Sequence, residues 1–265
     1  MLPDWKITLF DEAKKRVLKG EPLPEDSRCT DWQYYLPLHQ IETSLVLGAG
    51  KGTLPMALAE TLQKVYVVDS DQEALHFLET RSKQQGKTNI HLVHLKDEQD
   101  FPFSANQFDL VVCQKTDSPF SKALEKIHPL LKKGGYLFVP FKNSLGFDQL
   151  FDGRNSSQKM DHGNPFRLKK LLKKLGFEIA EWFVPLPQAS GIPLFTVPFS
   201  STEAWNFFLK SLFPLFAAVS PEVKQMYGKK YLFAQKMAWL VSKTGLINLA
   251  KFFAPGFTLL AKKTV

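Results

Sequence analysis

After residue 43, short apolar runs alternate with stretches whose apolar residues recur at helical spacing. The apolar runs predict strands, and the stretches between them predict amphipathic helices. Strands that alternate with helices favour right-handed crossovers and a parallel sheet. We predict strands at residues 44–47, 64–68, 90–95, 108–112, 136–140, 177–184 and 257–261. We predict helices at 5–19, 53–62, 123–131 and 166–175, and a further helix that follows Asp69 and runs through Arg81.

A long insertion separates the last predicted strand from the one before it. This stretch, 185–255, is first broken by prolines and then helical, so we expect an insert that lies over the sheet. We divide the chain into an N-terminal helical segment (1–40), a core (41–184 and 256–265) and the insert. Ligands of such sheets bind at the carboxyl ends of the strands, and we expect the insert to cover that edge.

Composition indicates a folded globular chain, because 44% of its 265 residues are apolar and 23% are charged. The formal charge of +8 is concentrated in residues 201–265, which hold nine lysines and only two glutamates, besides many Phe and Trp residues. Two interpretations stay open for this segment. It presents an apolar core face backed by solvated lysines, or a basic aromatic surface that docks on a membrane, a nucleic acid or an anionic acceptor.

Neither a leader peptide nor a membrane span is predicted. The N-terminus lacks a basic stretch followed by an apolar run, and the longest uncharged stretch, 182–202, contains four prolines. A cytoplasmic protein is the default expectation. Cys29 and Cys113 are too few for a disulfide framework, so we expect both to be small buried side chains.

Three glycines at alternate positions, Gly48, Gly50 and Gly52, follow the first predicted strand and precede a helix. Glycines there let backbone N–H groups approach a ligand closely. Their spacing differs from the G-x-G-x-x-G of dinucleotide folds, and the loop lacks the Lys-Ser or Lys-Thr of phosphate loops. The pattern predicts a ligand-binding turn of another kind.

Acidic residues follow the next two predicted strands. Asp69 ends the strand at 64–68, where its carboxylate can accept both hydroxyls of a ribose; alternatively, Asp69 caps the following helix. Asp97 follows the strand at 90–95, beside the same cleft.

Taken in order, these features resemble the class I S-adenosylmethionine-dependent methyltransferases. The resemblance spans residues 40–142 and also rests on Pro102-Phe103, on Phe108-Asp109-Leu110-Val111-Val112 and on the run from Leu130 to Leu137. It implies a Rossmann-like α/β fold with a seven-stranded sheet, six strands parallel and the C-terminal strand antiparallel, and a helical insert before that last strand. It also implies S-adenosylmethionine as cofactor and no metal.

By this resemblance the glycines face the methionine part of the cofactor, Asp69 holds the ribose, Asp97 the adenine amino group, and Gln114 lies near the sulfonium. The implied cofactor-binding residues are Gly48, Ala49, Gly50, Gly52, Asp69, Ser70, Asp97, Glu98 and Gln114.

One position departs from the family pattern. The family usually has an acidic residue two positions before the first glycine, and this chain has Val46. That acid helps to organise the amino-acid end of the cofactor. Its absence leaves open a catalytically silent binding or scaffold subunit that kept the fold.

The rest of the chain resembles, more narrowly, a bacterial subgroup associated with surface-glycan or natural-product biosynthesis. The residues that carry this are Asn143, Leu145-Gly146 and Gly176-Phe177. The subgroup does not determine the acceptor, because its acidic-His-Thr-Gly signature is only partly matched by Asp161-His162-Gly163. Our own expectation is O-methylation of a small-molecule, glycan or peptide acceptor. A hydroxyl acceptor benefits from a general base, for which His162 is the candidate. A carboxylate or other anionic acceptor needs a cationic clamp instead, and the candidates are Lys142, Arg154 and Arg167. Each of these four residues is alternatively an ordinary surface residue.

Nucleic acid is the weaker partner class. The Asn/Asp-Pro-Pro-aromatic signature of base amino-methylation is absent after the fourth predicted strand, where Cys113-Gln114-Lys115-Thr116 stands. The basic insert stays compatible with RNA. It is also compatible with peripheral contact to a membrane, and the sequence predicts no oligomeric state.

Overall fold

Nine strands form one sheet in the part of the chain that the computed structural model describes. That part comprises residues 33, 35–95, 101–114, 120–146, 162–163, 165–186, 195–212, 236, 239–241, 243–254 and 256–264. The strands are β1 (Thr43–Leu47), β2 (Lys64–Asp69), β3 (Ile90–His94), β4 (Phe108–Cys113), β5 (Leu131–Asn143), β6 (His162–Gly163), β7 (Phe177–Leu186), β8 (Phe195–Pro198) and β9 (Gly256–Lys263).

Helices connect these strands and cover both faces of the sheet. Short 3₁₀ turns lie at Leu38–Gln40, His128–Leu130 and Lys251–Phe253, and a π-helical turn at Phe208–Leu212 continues the fifth helix. The helices are α1 (Thr53–Leu58), α2 (Gln72–Gln84), α3 (Phe120–Ile127), α4 (Pro165–Lys174), α5 (Thr202–Phe207) and α6 (Ile247–Ala250).

The strand order is β3-β2-β1-β4-β5-β9-β7-β8, with β6 beside the end of β5. Strands β1 to β5 pair in parallel, and β9 runs antiparallel to both of its neighbours, β5 and β7. The predicted α/β class, the Rossmann-like order and the antiparallel C-terminal strand are confirmed.

The predicted strand count of seven is wrong, because β6 and β8 were not foreseen. β6 has only two residues, too few for a periodic pattern. β8 has four residues and pairs with β7 from the end of the sheet. An edge strand tolerates proline, so Pro198, which favoured a break in the sequence, ends a strand instead. The predicted helix at 5–19 lies outside the described residues.

Alternation along β1 shows how the sheet separates two apolar layers. Leu45 and Leu47 belong to a buried cluster with the inner faces of α3, α4, α5 and α6, whereas Val46 belongs to a second cluster with α1 and α2. Cys113 is buried in the first cluster, as predicted, and Cys29 lies outside the described residues. Among the described helices, none has both the length and the apolar character needed to cross a membrane.

Candidate functional site

The carboxyl ends of three neighbouring strands bring the predicted cofactor residues together. In register, Leu47 of β1 lies opposite Val68 of β2 on one side and Cys113 of β4 on the other. The strands that follow β1 in the chain are added first on its β2 side and later on its β4 side. The carboxyl end of β1 is therefore the topological switch point, where ligands of such sheets bind. The glycine loop follows β1, Asp69 is the last residue of β2, and Gln114 follows β4.

The glycine loop is a tight turn that side chains would obstruct. Gly48, Gly50 and Gly52 all have positive φ, at 93°, 54° and 79°, a region that favours glycine. The N–H of Gly48 donates to the Val68 carbonyl at 2.8 Å, and the N–H of Gly52 donates to the Ala49 carbonyl at 2.9 Å. The first bond attaches the turn to β2, and the second closes the turn internally.

Helix α2 supports the same loop from the side. The guanidinium of Arg81 is buried and its Nη1 donates to the Lys51 carbonyl, while a Cβ on Gly52 would lie 2.9 Å from a methyl of Leu78. Sequence reasoning missed Arg81. A single arginine near the end of an amphipathic helix gives no local signal that it turns inward.

Asp69 is tied to the loop and does not cap the next helix. Its Oδ2 accepts the Ala49 N–H at 2.7 Å, and its Oδ1 accepts the Asp71 N–H at 2.9 Å. The cap of α2 is Asp71, which accepts from the N–H groups of Glu73 and Ala74. The alternative that Asp69 is the helix cap is therefore wrong.

The carboxylate of Asp69 fits the predicted role with a ribose. A carboxylate offers about four lone-pair positions, and backbone N–H groups occupy two of them here. Two hydroxyl donors therefore still find acceptors on Asp69. Ser70 follows it and is exposed at the same edge.

Gln114 lies against the loop from the other side. Its backbone N–H donates to the Leu47 carbonyl at 2.8 Å, and its Oε1 lies 3.2 Å from where a Cβ on Gly50 would stand. The chain beyond β3 begins at the same edge, since the N–H of Leu95 donates to the Asp69 carbonyl at 3.1 Å. Asp97 and Glu98 themselves lie outside the described residues.

A second candidate region, which we call the corner, lies where β5 ends. Lys142 pairs with His162 of β6 in register, and its side chain is 6% exposed. Within the described part of the chain, no hydrogen bond or ion pair is made by its ammonium group. The side chain of His162 and all of Arg154 lie outside the described residues. Arg167 is exposed on α4, so the structure does not bring it into a buried corner.

Asn143 anchors the end of the insert at this corner. Its buried amide donates to the carbonyls of Phe252 and Ala254, each at 2.7 Å, and its Oδ1 accepts the Leu145 N–H at 3.0 Å. The ring of Phe166, at the start of α4, stacks on Phe252 with centroids 5.3 Å apart. An aromatic segment of the insert thus reaches the carboxyl end of β5.

Asp109, part of the run that carried the family resemblance, has a structural role at the opposite edge. Burial raises its pKa, but hydrogen bonds from Lys132 and from Thr43 and Glu42 outweigh burial and hold the pKa below its usual range. The carboxylate ties the start of β1 to β4. It therefore stays ionised and takes no part in the cofactor edge.

Comparisons with known proteins point to one family. Residues 45–135 match the family model described as a methyltransferase domain. The chain is 33% identical over 111 residues to ribosomal RNA small subunit methyltransferase G of Lactobacillus acidophilus, covering 41% of this chain and 45% of that protein. It is 32% identical over 204 residues to human arginine-hydroxylase NDUFAF5, mitochondrial, covering 64% of this chain and 55% of that protein.

The chain thus spans about half the length of these curated relatives. Among solved structures, phosphoethanolamine N-methyltransferase 2 of Haemonchus contortus, in complex with S-adenosyl-L-methionine, is similar with a TM-score of 0.54 at 17% identity. That similarity covers 90% of this chain and 52% of that one, and it supports the fold. Residues 45–135 therefore match a methyltransferase domain, and the chain has the Rossmann-like fold of class I methyltransferases.

Proposed function

We propose that this chain transfers the methyl group of S-adenosylmethionine to an oxygen atom of an anionic small-molecule, glycan or peptide acceptor. The cofactor half of the proposal is supported by the glycine loop, by Asp69 and by the matched family model. The acceptor half is carried by one observation, the Lys142 side chain, which is largely buried at the end of β5 and has no described anionic partner.

The switch-point edge offers a complementary group to each end of the cofactor. The glycine loop lets backbone approach the methionine part, and Asp69 offers two free acceptor positions to the ribose hydroxyls. The chain after β3 starts beside Asp69, which supports a role for Asp97 and Glu98 at the adenine. The side chain of Gln114 lies against the loop at Gly50, which supports a role for Gln114 in orienting the reacting end.

When bound, S-adenosylmethionine supplies a methyl group on a sulfonium, which leaves as a neutral thioether. The chain then has to hold an acceptor oxygen in line with that methyl group, and positioning provides most of the rate. A carboxylate oxygen attacks without losing a proton. A hydroxyl acceptor must give up its proton, and His162, which pairs with Lys142 through the backbone, is the proposed base.

Lys142 supports an acceptor that carries negative charge. Its side chain is largely buried, and a lysine in such a position favours an anion beside its ammonium group. No described residue provides that anion, whereas the neighbouring Asn143 has all of its amide groups hydrogen bonded. A carboxylate or phosphate on the acceptor would complete the corner.

The experiment starts from cofactor binding and then searches for the acceptor. Calorimetry measures the affinity for S-adenosylmethionine, and the protein is then incubated with the cofactor and with fractions of anionic metabolites, glycans and peptides. Mass spectrometry should find an acceptor that gains one methylene unit. Lys142→Gln should lose this transfer with unchanged cofactor affinity, and Lys133→Gln, at the opposite edge, should keep both.

Three outcomes would contradict the proposal, and each identifies a competing function. Absence of cofactor binding indicates a silent scaffold, the alternative that Val46 raised. Gain of one oxygen atom indicates hydroxylation, the activity in the name of the human relative. Methyl transfer to ribosomal RNA alone indicates the activity in the name of the bacterial relative.

A further inference from the structure

The helical run from Leu246 to Phe253 is apolar on two opposite faces. Ile247 and Ala254 point into the core, where both are buried. On the outer side, Leu246, Leu249 and Phe253 are 51%, 59% and 43% exposed. Spacings of three and four residues place these three side chains on one helix face.

Other large apolar side chains of the insert are exposed in the same way. Trp239 and Leu240 precede this run, and Phe207 lies on α5, whose Thr202 is within 3.4 Å of the Asn248 side chain of α6. We name this set the outer patch; it consists of Phe207, Trp239, Leu240, Leu246, Leu249 and Phe253. Several large apolar side chains exposed on one insert favour an interaction surface.

The lysines near the outer patch determine which partner fits. The ammonium of Lys243 lies 4.2 Å from the centre of the Trp239 ring, and Lys210 and Lys236 are exposed on the same insert. Residues 201–265 hold nine lysines against two glutamates; Lys251 and Lys263 are buried, so the exposed lysines are the ones that can meet a partner. The partner must therefore accept apolar side chains and positive charge together.

We propose that the outer patch docks this protein on the surface of an anionic lipid bilayer. Tryptophan and leucine side chains enter the boundary between headgroups and acyl chains, and lysines beside them pair with anionic headgroups. A second copy of the chain would bring positive charge against positive charge. A nucleic acid would neutralise the lysines but leave the leucines facing phosphate and sugar.

The test uses the full chain with vesicles of phosphatidylcholine, alone or mixed with phosphatidylglycerol. The protein floats with the anionic vesicles, less with the neutral ones, and less as salt is raised. Leu249→Asp lowers the partition coefficient at least about tenfold, because a leucine that would enter the bilayer boundary is replaced by a charge. Tyr35→Asp, which alters an exposed aromatic residue outside the insert, leaves the partition unchanged.

A second readout locates the contact. Brominated lipids quench the fluorescence of Trp239 in the bound protein, and Trp239→Phe removes the quenched component. Failure of the wild-type chain to float with anionic vesicles overturns the proposal, as does equal flotation of Leu249→Asp. A dimer that Leu249→Asp dissociates, with no vesicle binding, also overturns it and assigns the outer patch to a second copy.

Discussion

The carboxylate of Asp69 accepts a 2.7 Å hydrogen bond from the backbone N–H of Ala49, which joins the end of β2 to the turn after β1. One side chain therefore fixes the loop and still has acceptor positions for a ligand. The acid that the family usually carries two residues before the first glycine is replaced by the buried Val46. In this chain a carboxylate from the neighbouring strand organises the loop.

We expect Asp69→Ala to weaken binding of S-adenosylmethionine by about 1.5–3 kcal/mol, because charge-assisted hydrogen bonds to the ribose and to the loop are lost. Calorimetry measures the change. Asp71→Ala is the matched control: it removes the cap of α2 and should cost about 1 kcal/mol of stability with little change in affinity. Equal loss of affinity in both variants would show that Asp69 affects cofactor binding only by stabilising the fold.

Gly50→Ala should lose cofactor affinity. The added Cβ would lie 3.2 Å from Gln114 Oε1 and would force that amide or the loop to move. Gly86→Ala separates this effect from backbone strain, since Gly86 has a similar φ of 65° with nothing within 4 Å of an added Cβ. Both variants should lose about 1–2 kcal/mol of stability in urea titrations. Unchanged affinity in Gly50→Ala would contradict a role for this contact in the site.

The strand and glycine pattern was predictable because it depends on local spacing, whereas the buried polar residues were not. The partners of the Asn143 amide lie 109 and 111 residues away, so no sequence window contains the reason for its burial. Arg81 likewise reads as an ordinary residue of an amphipathic helix, and only the packing of α2 turns it toward Lys51. β8 was missed because Pro198 indicates a break unless an edge position is known.

Asn143→Leu should destabilise the chain by about 2–4 kcal/mol, since two carbonyl groups lose their donor. Hydrogen exchange should rise in residues 247–254, which this amide holds on β5. Asn89→Leu is a matched variant, because the Asn89 amide donates to the carbonyls of Ala59 and Leu62. It should cost a similar amount and leave exchange in 247–254 at the wild-type level; a rise there too would indicate global loosening.

Lys142→Met should leave stability unchanged or raise it by about 1 kcal/mol, because it replaces a largely buried lysine that makes no described hydrogen bond or ion pair with an apolar side chain of similar length. Lys263→Met provides the contrast. Lys263 is also buried, but its Nζ donates to the carbonyls of His128 and Leu131, each at 2.8 Å. Its loss should cost about 2 kcal/mol in denaturant titrations. A comparable loss in Lys142→Met would assign Lys142 a structural role.

Stability should fall in mild acid because of His128. Burial, and next the charge of Lys263, lower the pKa of His128 below its ordinary value. The unfolded chain therefore binds this proton at a higher pH than the folded chain, and acid favours unfolding. The free energy of unfolding should decrease from about pH 7.5 to 5.5. His128→Gln should flatten this slope, and the exposed His39→Gln should not; an unchanged slope in His128→Gln would refute the assignment.

The position of β9 has a consequence for how the protein is made. β9 lies between β5 and β7, and through it the five-stranded parallel half is joined to the β7–β8 ribbon. During synthesis, β5 and β7 therefore present unpaired edges until residues 256–263 have left the ribosome. Exposed strand edges can pair with other chains. A nascent chain whose synthesis pauses within the insert, before β9 is made, therefore has the greatest need of a chaperone.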